Sequence, residues 1–139
     1  AVHVLRGAPH ITARLRGMDF LVSPASFFQT NPSQTEKLYA LVEELCDAGP
    51  DTVVFDLYCG TGTIGLSIAG NTQAKAVLGF ELVPSAVEDA RANAERNGVE
   101  RAHFFCGDLA TLLSSSNFRR QYGRPDVVIV DPPRPGMHK

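Results

Sequence analysis

The sequence predicts an α/β protein with a Rossmann-like, doubly wound parallel sheet of four strands, preceded by a small β-hairpin region. Apolar, strand-like segments at 53–58, 76–81, 102–106 and 126–130 alternate with helix-like segments. This alternation is typical of parallel sheets with right-handed crossovers. The last strand contains the run Val-Val-Ile-Val, which is apolar at every position, as expected for a strand covered on both faces.

The chain of 139 residues has the length of about one domain. We expect a hairpin region over 1–26, because short β-prone runs at 2–5, 11–15 and 19–23 are separated by turn residues. Residues 27–139 are then the Rossmann-like domain, with its sheet incomplete after the fourth strand.

The first helix is expected to begin with Asn31 as its cap, Pro32 at the first helical position and Gln34 completing a capping box. Its apolar residues form one stripe at helical spacing: Leu38, Leu41, Val42 and Leu45. This pattern predicts an amphipathic helix with one apolar face.

Three further helices follow from the alternation. They are expected over 63–69, over 85–97 and from Leu109 onward. The second is the clearest, because Ser85 and Glu88 have the spacing of a capping box and Gly98 stands where a left-handed residue ends a helix.

Composition favours a soluble, intracellular protein, cytoplasmic or organellar. The net charge of −2 does not indicate a nucleic-acid partner by itself. The three cysteines, Cys46, Cys59 and Cys106, have neither metal-ligand nor disulfide spacing, which fits a reducing compartment. No apolar run reaches the roughly 20 residues of a membrane helix, and no secretory leader pattern opens the chain.

A glycine-rich turn follows the first strand of the main sheet. Gly60, Gly62 and Gly65 satisfy G-x-G-x-x-G, and such glycines let a backbone approach a ligand closely. The pattern alone is weak, because a tight strand-to-helix turn also explains it. Asp56, at the end of the strand, would repel a pyrophosphate and favour a cationic amino acid with a sulfonium, as in S-adenosylmethionine. Alternatively, Asp56 caps loop amides.

Two more acids end the next two strands. Glu81 lies 21 positions after Gly60, where a carboxylate can accept both hydroxyls of a ribose. Asp108 could meet the exocyclic amine of an adenine. The alternatives are a solvated strand-end glutamate at 81 and a helix N-cap at 108.

The fourth strand ends in Asp131-Pro132-Pro133-Arg134. Consecutive prolines hold the preceding acid rigidly at the strand tip, so we expect Asp131 to face the transferable methyl group and the substrate base. Before the first helix, Gln29 is a weaker candidate for binding the methionine part of the cofactor.

Together these segments resemble the RNA 5-methyluridine methyltransferase family, whose members methylate uracil C5 in tRNA or rRNA. The residues that carry the resemblance are the segment 23–31 and Asp131-Pro132-Pro133-Arg134. The resemblance implies S-adenosylmethionine as cofactor and an RNA substrate. The family's cofactor-binding positions correspond to Gln29, Tyr58, Glu81 and Asp131, with Gly60 and Gly62 lining the loop and Thr63 standing where some relatives have asparagine.

The resemblance also implies covalent catalysis, in which a cysteine thiolate adds to uracil C6 and a glutamate later removes the C5 proton. Neither position falls within this chain. We therefore expect the chain to bind the cofactor and to be inactive alone. We also expect self-association through the exposed edge of the fourth strand.

Three alternatives stay open on the sequence. One is an NAD-dependent oxidoreductase, from the glycine pattern, and another is a methyltransferase of different specificity. The third is a non-catalytic RNA-binding module, in which arginines contact phosphates. The residues that this module would use are Arg6, His10, Arg14 and Arg16, and later Arg119, Arg120 and Arg124.

Overall fold

The structure is a computed structural model that describes residues 11–22 and 32–130. A two-stranded hairpin is followed by a four-stranded sheet with its connecting helices. The elements, in chain order, are β1 (Ile11–Leu15), β2 (Met18–Val22), α1 (Pro32–Cys46), β3 (Val53–Leu57), α2 (Thr63–Asn71), β4 (Ala76–Glu81), α3 (Pro84–Arg96), β5 (Ala102–Cys106), α4 (Leu109–Leu113), α5 (Ser116–Tyr122) and β6 (Val127–Val130).

The main sheet is parallel and has the strand order β5-β4-β3-β6. The order reverses beside β3, so the chain first builds outward to β5 and then returns to place β6 on the other side. In this register Leu57 pairs with Phe80 and with Val130, and Glu81 pairs with Cys106. The carboxyl ends of the strands therefore share one edge, where ligands of such sheets bind. The predicted fold class is confirmed.

Each face of the sheet has its own core. On one face, Val54 and Val77 pack with residues of α2 and α3 and with the hairpin. On the other face, Phe55, Phe80 and Phe118 pack edge to face or tilted, with centroids 5.1 to 6.1 Å apart. This separation follows from the strand period of two, which sends neighbouring side chains to opposite layers.

Only part of the apolar stripe predicted for α1 packs against the core: Val42 does, and the three leucines are largely exposed. Leu38, Leu41 and Leu45 are 53%, 48% and 73% exposed. The buried face of α1 carries Tyr39 and Glu43 instead, because Glu43 meets Arg16 of the hairpin turn in an ion pair of 2.7 Å. A polar contact, which periodicity does not register, thus acts together with the packing of Val42 and Cys46 in orienting this helix.

The boundary signals of the other helices were partly right. α3 begins after Val83 with no side-chain cap, so the predicted capping box of Ser85 and Glu88 is wrong. Gly98 has φ +67° and ends α3 as predicted. The helical region from Leu109 forms two short helices, because Ser115 accepts a hydrogen bond from the Phe118 N–H and starts the second.

The fourth strand is less covered than its sequence predicts. In β6 the exposed fractions of Val128 and Val130 are 49% and 56%, and among the described residues β6 is an edge of the sheet. Self-association through that edge stays a prediction.

Several sequence predictions lie outside the described residues. They are the strand at 2–5, the cap at Asn31, the domain boundary at 26/27, Gln29 and Asp131. Within 11–22 and 32–130, no helix combines the length and apolarity that crossing a membrane requires.

Candidate functional site

A small cleft of about 90 Å³ opens at the carboxyl ends of β3, β4 and β5. Its lining comes from the strand tips and the loops that follow them. The lining residues are Leu57, Tyr58, Phe80, Glu81, Leu82, Gly107, Asp108 and Leu109. The cleft thus combines apolar walls with two carboxylates, and the described part of its lining contains no lysine or arginine.

Glu81 is the polar centre of this cleft. One carboxylate oxygen accepts the Gly60 N–H at 2.9 Å. The other accepts the N–H groups of Leu82 and Val83, each at 3.1 Å. The half-buried carboxylate therefore joins the tip of β4 to the loop after β3. Glu81 is therefore held by three backbone N–H groups and does not extend freely into solvent.

The loop after β3, residues 58–62, is called the glycine loop below. Tyr58, Gly60 and Gly62 all have positive φ, at 60°, 57° and 82°. A Cβ at Gly60 would meet nothing within 4 Å, so at this point the backbone borders open space. Tyr58 is a non-glycine residue in the left-handed region, a conformation that costs energy and occurs often at functional sites.

Gly62 has a different reason to be glycine. A Cβ there would lie 2.9 Å from Phe104 Cζ and 3.0 Å from the Ala90 methyl group. Close packing against β5 and α3, together with φ +82°, excludes a side chain. Of the two predicted loop glycines, Gly60 borders open space and Gly62 packs against the protein interior.

Asp56 lies beneath the loop and not on the cleft surface. Its side chain is 1% exposed, and its Oδ2 would lie only 3.0 Å from a Cβ on Gly65. The carboxylate thus occupies the space under the first turn of α2. The structure brings Glu81 and Asp108 to the cleft but keeps Asp56 inside the protein. A contact between Asp56 and the cofactor stays a prediction.

Thr63 and Asp108 both make local contacts. The Thr63 hydroxyl shares a hydrogen bond of 2.6 Å with the Tyr39 hydroxyl, which ties the start of α2 to α1. Asp108 Oδ2 accepts the Thr111 N–H and hydroxyl, both at 3.1 Å. The N-cap interpretation of Asp108 is therefore correct, and the same residue still lines the cleft.

Cys59, in the glycine loop, is not an activated thiol. Burial raises the pKa of Cys59 well above its ordinary value, and the Asp56 and Glu81 carboxylates raise it further. Burial likewise raises the pKa of Cys46. Among the residues that the structure describes, no three His, Cys, Asp or Glu side chains are grouped for metal binding.

Sequence reasoning missed one residue that contacts the glycine loop. Asn93, fully buried in α3, donates from Nδ2 to the Thr61 carbonyl at 3.2 Å. A buried asparagine in the middle of a helix is unusual, and its place among alanines in 90–94 is the signal that the sequence offers.

The residues at the cleft fit an adenosyl group with a positively charged sulfur. Glu81 offers carboxylate oxygens at a strand tip, the backbone at Gly60 borders open space, and Leu82 and Val83 are 63% and 50% exposed apolar side chains beside them. Carboxylates accept ribose hydroxyls, apolar side chains cover an adenine face, and the negative charges favour a cation over a diphosphate.

Comparison with known proteins agrees with this fit. Residues 48–132 match the family model described as a methyltransferase domain. Two relatives named uncharacterized RNA methyltransferase, from Bacteroides thetaiotaomicron and Porphyromonas gingivalis, are each 45% identical over 138 residues, which is 99% of this chain. The chain spans only 30% and 29% of their lengths.

Two solved structures are similar. The Pyrococcus abyssi tRNA (uracil-54, C5)-methyltransferase, in complex with S-adenosyl-L-homocysteine, matches with TM-score 0.70 and 37% identity, over 93% of this chain and 29% of that one. An RNA methyltransferase from Salinibacter ruber with the same ligand matches with TM-score 0.51 and 33% identity, over 54% of this chain and 49% of that one. Methyltransferases of this family use S-adenosylmethionine. With most of its length matched and its fold shared, the chain belongs to the methyltransferase domain family.

Proposed function

We propose that this chain binds S-adenosylmethionine in the cleft at the strand tips, and that the intact protein methylates uracil C5 in RNA. The observation that carries the proposal is the Glu81 carboxylate bonded to the Gly60 N–H at 2.9 Å. Glu81 would hold the ribose and Tyr58 would cover the cofactor, with Gln29 and Asp131 as further predicted contacts. The cofactor supplies an electrophilic methyl group on a sulfonium.

The hydrogen bonds of the glycine loop favour this cofactor over NAD. In dinucleotide sites, loop N–H groups and a helix N-terminus hold the pyrophosphate. Here the Gly60 N–H donates to Glu81, and the Gly62 N–H donates to the Cys59 carbonyl at 2.9 Å. A diphosphate would have to displace a carboxylate of its own charge, which Coulomb repulsion opposes.

RNA as the substrate is supported by the names of the relatives, and uracil C5 by the Pyrococcus abyssi neighbour. The hairpin arginines do not add to this support. Arg16 pairs with the buried Glu43 and so serves the fold, whereas Arg14 pairs with Asp19 on the surface. A purely RNA-binding module therefore has less support than an RNA methyltransferase.

Two of the three cysteines, Cys46 and Cys59, do not suit covalent attack on a pyrimidine. By the family resemblance, none of the three occupies the position of the nucleophile. Cys59 and Cys46 are held as thiols by burial and nearby carboxylates. Cys106 lies at the tip of β5 and donates to the Leu82 carbonyl at 3.7 Å. We therefore expect the 139-residue chain to bind the cofactor without transferring a methyl group.

Calorimetric titration with S-adenosyl-L-homocysteine, and separately with NAD, tests the binding half. We expect binding of the first ligand only. Glu81→Gln should weaken that binding by about tenfold, because one charge-assisted hydrogen bond is lost. Glu88→Gln, the same change at an exposed position of α3, is the matched control and should leave affinity unchanged. Binding of NAD alone would overturn the proposal.

A methyl-transfer assay with unmodified tRNA and rRNA tests the catalytic half. We expect no 5-methyluridine from the chain alone. If the chain with all three cysteines replaced by serine still transferred methyl groups, the proposal that catalysis needs a cysteine outside these 139 residues would be wrong.

A further inference from the structure

We propose that Asn93 is a positioning residue, which couples docking of the β1–β2 hairpin to the conformation of the glycine loop. This inference rests on the proposed binding of S-adenosylmethionine. It assigns to a buried helix residue, outside the cleft lining, a share in holding the cofactor-binding backbone in place.

The free edge of β2 gives the first part of the argument. In an antiparallel pair, every second residue turns its N–H and C=O away from the partner strand. On β2 these are Asp19 and Leu21, which would otherwise present unpaired backbone groups beside α3. The Leu21 N–H donates to Asn93 Oδ1 at 2.9 Å, and Asn93 Nδ2 donates to the Leu21 carbonyl at 3.4 Å.

Asn97 repeats the same arrangement one helical turn later. The Asp19 N–H donates to Asn97 Oδ1, and Asn97 Nδ2 donates to the Asp19 carbonyl, both at 2.9 Å. Four helix residues advance about 6 Å and two strand residues about 7 Å, so side-chain amides four apart match alternate strand residues. The two asparagines thus act as a substitute strand for the edge of β2.

Among the described residues, Asn93 also contacts the glycine loop, which Asn97 does not. Its Nδ2 also donates to the carbonyl of Thr61 at 3.2 Å, whereas the second bond of Asn97 Nδ2 goes to the Asn93 carbonyl at 2.8 Å. Thr61 stands between Gly60 and Gly62, both of which have positive φ. The two glycines give the loop backbone many accessible conformations. A hydrogen bond that holds Thr61 between them reduces that number before the cofactor binds, and so lowers the entropic cost of binding.

The pair Asn93→Asp and Asn97→Asp separates the loop contact from the hairpin contact. Each change keeps the size and the Oδ1 acceptor, and each removes N–H groups donated to two carbonyls. The pair Asn93→Ala and Asn97→Ala repeats the comparison without an added charge, which matters because Asn93 is fully buried.

The first readout is amide hydrogen exchange of Gly60 and Gly62 without ligand, normalised to core amides of β4. We expect the Asn93 variants to speed exchange in the loop roughly tenfold more than the Asn97 variants, as loss of about one hydrogen bond predicts. The second readout is affinity for S-adenosyl-L-homocysteine, which should fall about tenfold for Asn93 variants and less than about twofold for Asn97 variants.

Equal effects of the two asparagines on loop exchange would overturn the inference, since both would then act through the hairpin alone. If the unsubstituted chain bound no S-adenosyl-L-homocysteine, the proposed function would fail. The exchange comparison would still decide whether Asn93 anchors the loop.

Discussion

Replacing Glu43 by glutamine should destabilise the chain by about 2–3 kcal/mol. The carboxylate, 8% exposed, accepts hydrogen bonds from Arg16 Nε at 3.1 Å and from an Arg16 terminal nitrogen at 2.7 Å. It also accepts from Ser67 and Asn71. A hydrogen bond to a charged group contributes about 1.5–3 kcal/mol. The Arg16 side chain is 34% exposed, so water can form hydrogen bonds with it once the carboxylate is removed. The two Arg16 bonds together should therefore contribute little more free energy than one buried bond.

Urea unfolding followed by circular dichroism measures this change. Glu44→Gln is the matched control, since Glu44 is the next residue of α1 and is exposed. It should change the unfolding free energy by less than about 0.5 kcal/mol. A loss of equally small size for Glu43→Gln would show that the Arg16 contact is exchanged for water without cost, and would refute the reasoning about the orientation of α1.

The same comparison has a definite pH dependence. Burial alone would raise the pKa of Glu43, but hydrogen bonds from Arg16, Ser67 and Asn71 outweigh it and hold that pKa below its usual 4.5. A lowered folded-state pKa adds stability above the usual value, and that stability is lost as the pH falls through the folded pKa. The difference between the wild-type chain and Glu43→Gln should therefore be full near pH 7 and shrink progressively below about pH 4.5.

Three further outcomes follow from the packing. Gly62→Ala should lower the free energy of unfolding in urea by about 2–4 kcal/mol, because the new methyl group would be strained at positive φ and would lie 2.9 Å from Phe104 Cζ. Gly60→Ala should lower it by only about 1–2 kcal/mol, because that position has the same strain but borders open space. Leu45 is 73% exposed, so Leu45→Lys should change the free energy of unfolding by less than about 0.5 kcal/mol. A loss above about 2 kcal/mol would show that this side chain is buried. Iodoacetamide should alkylate Cys59 at least about tenfold more slowly in the folded chain than in the unfolded chain, and equal rates would contradict its raised pKa.

The sequence was sufficient for the parts of this protein that depend on local chemistry. The alternation of apolar strands and helices predicted the parallel sheet, and the positions of Glu81 and Asp108 at strand ends predicted that they would line one cleft. These predictions succeed because parallel strands bring their carboxyl ends to one edge whatever the details of packing.

A long-range polar contact helps to explain why the leucines of α1 are exposed. The leucines of α1 had the spacing of a buried stripe, yet the helix turns Glu43 inward to meet Arg16, 27 residues earlier. Burying a carboxylate is unfavourable until its partners are present, and a periodicity count contains no information about partners in another element.

The glycine loop shows most clearly which features the sequence predicts and which only the tertiary structure decides. The order of the residues predicts its glycines and the nearby acids, but not the left-handed conformation of Tyr58. Only the folded chain decides that Asp56 lies beneath the loop, that Gly62 packs on Phe104 and that Asn93 joins the loop to the hairpin. Local geometry follows from each residue's own backbone and side chain, whereas these contacts exist only after distant segments have been brought within hydrogen-bonding and van der Waals distance.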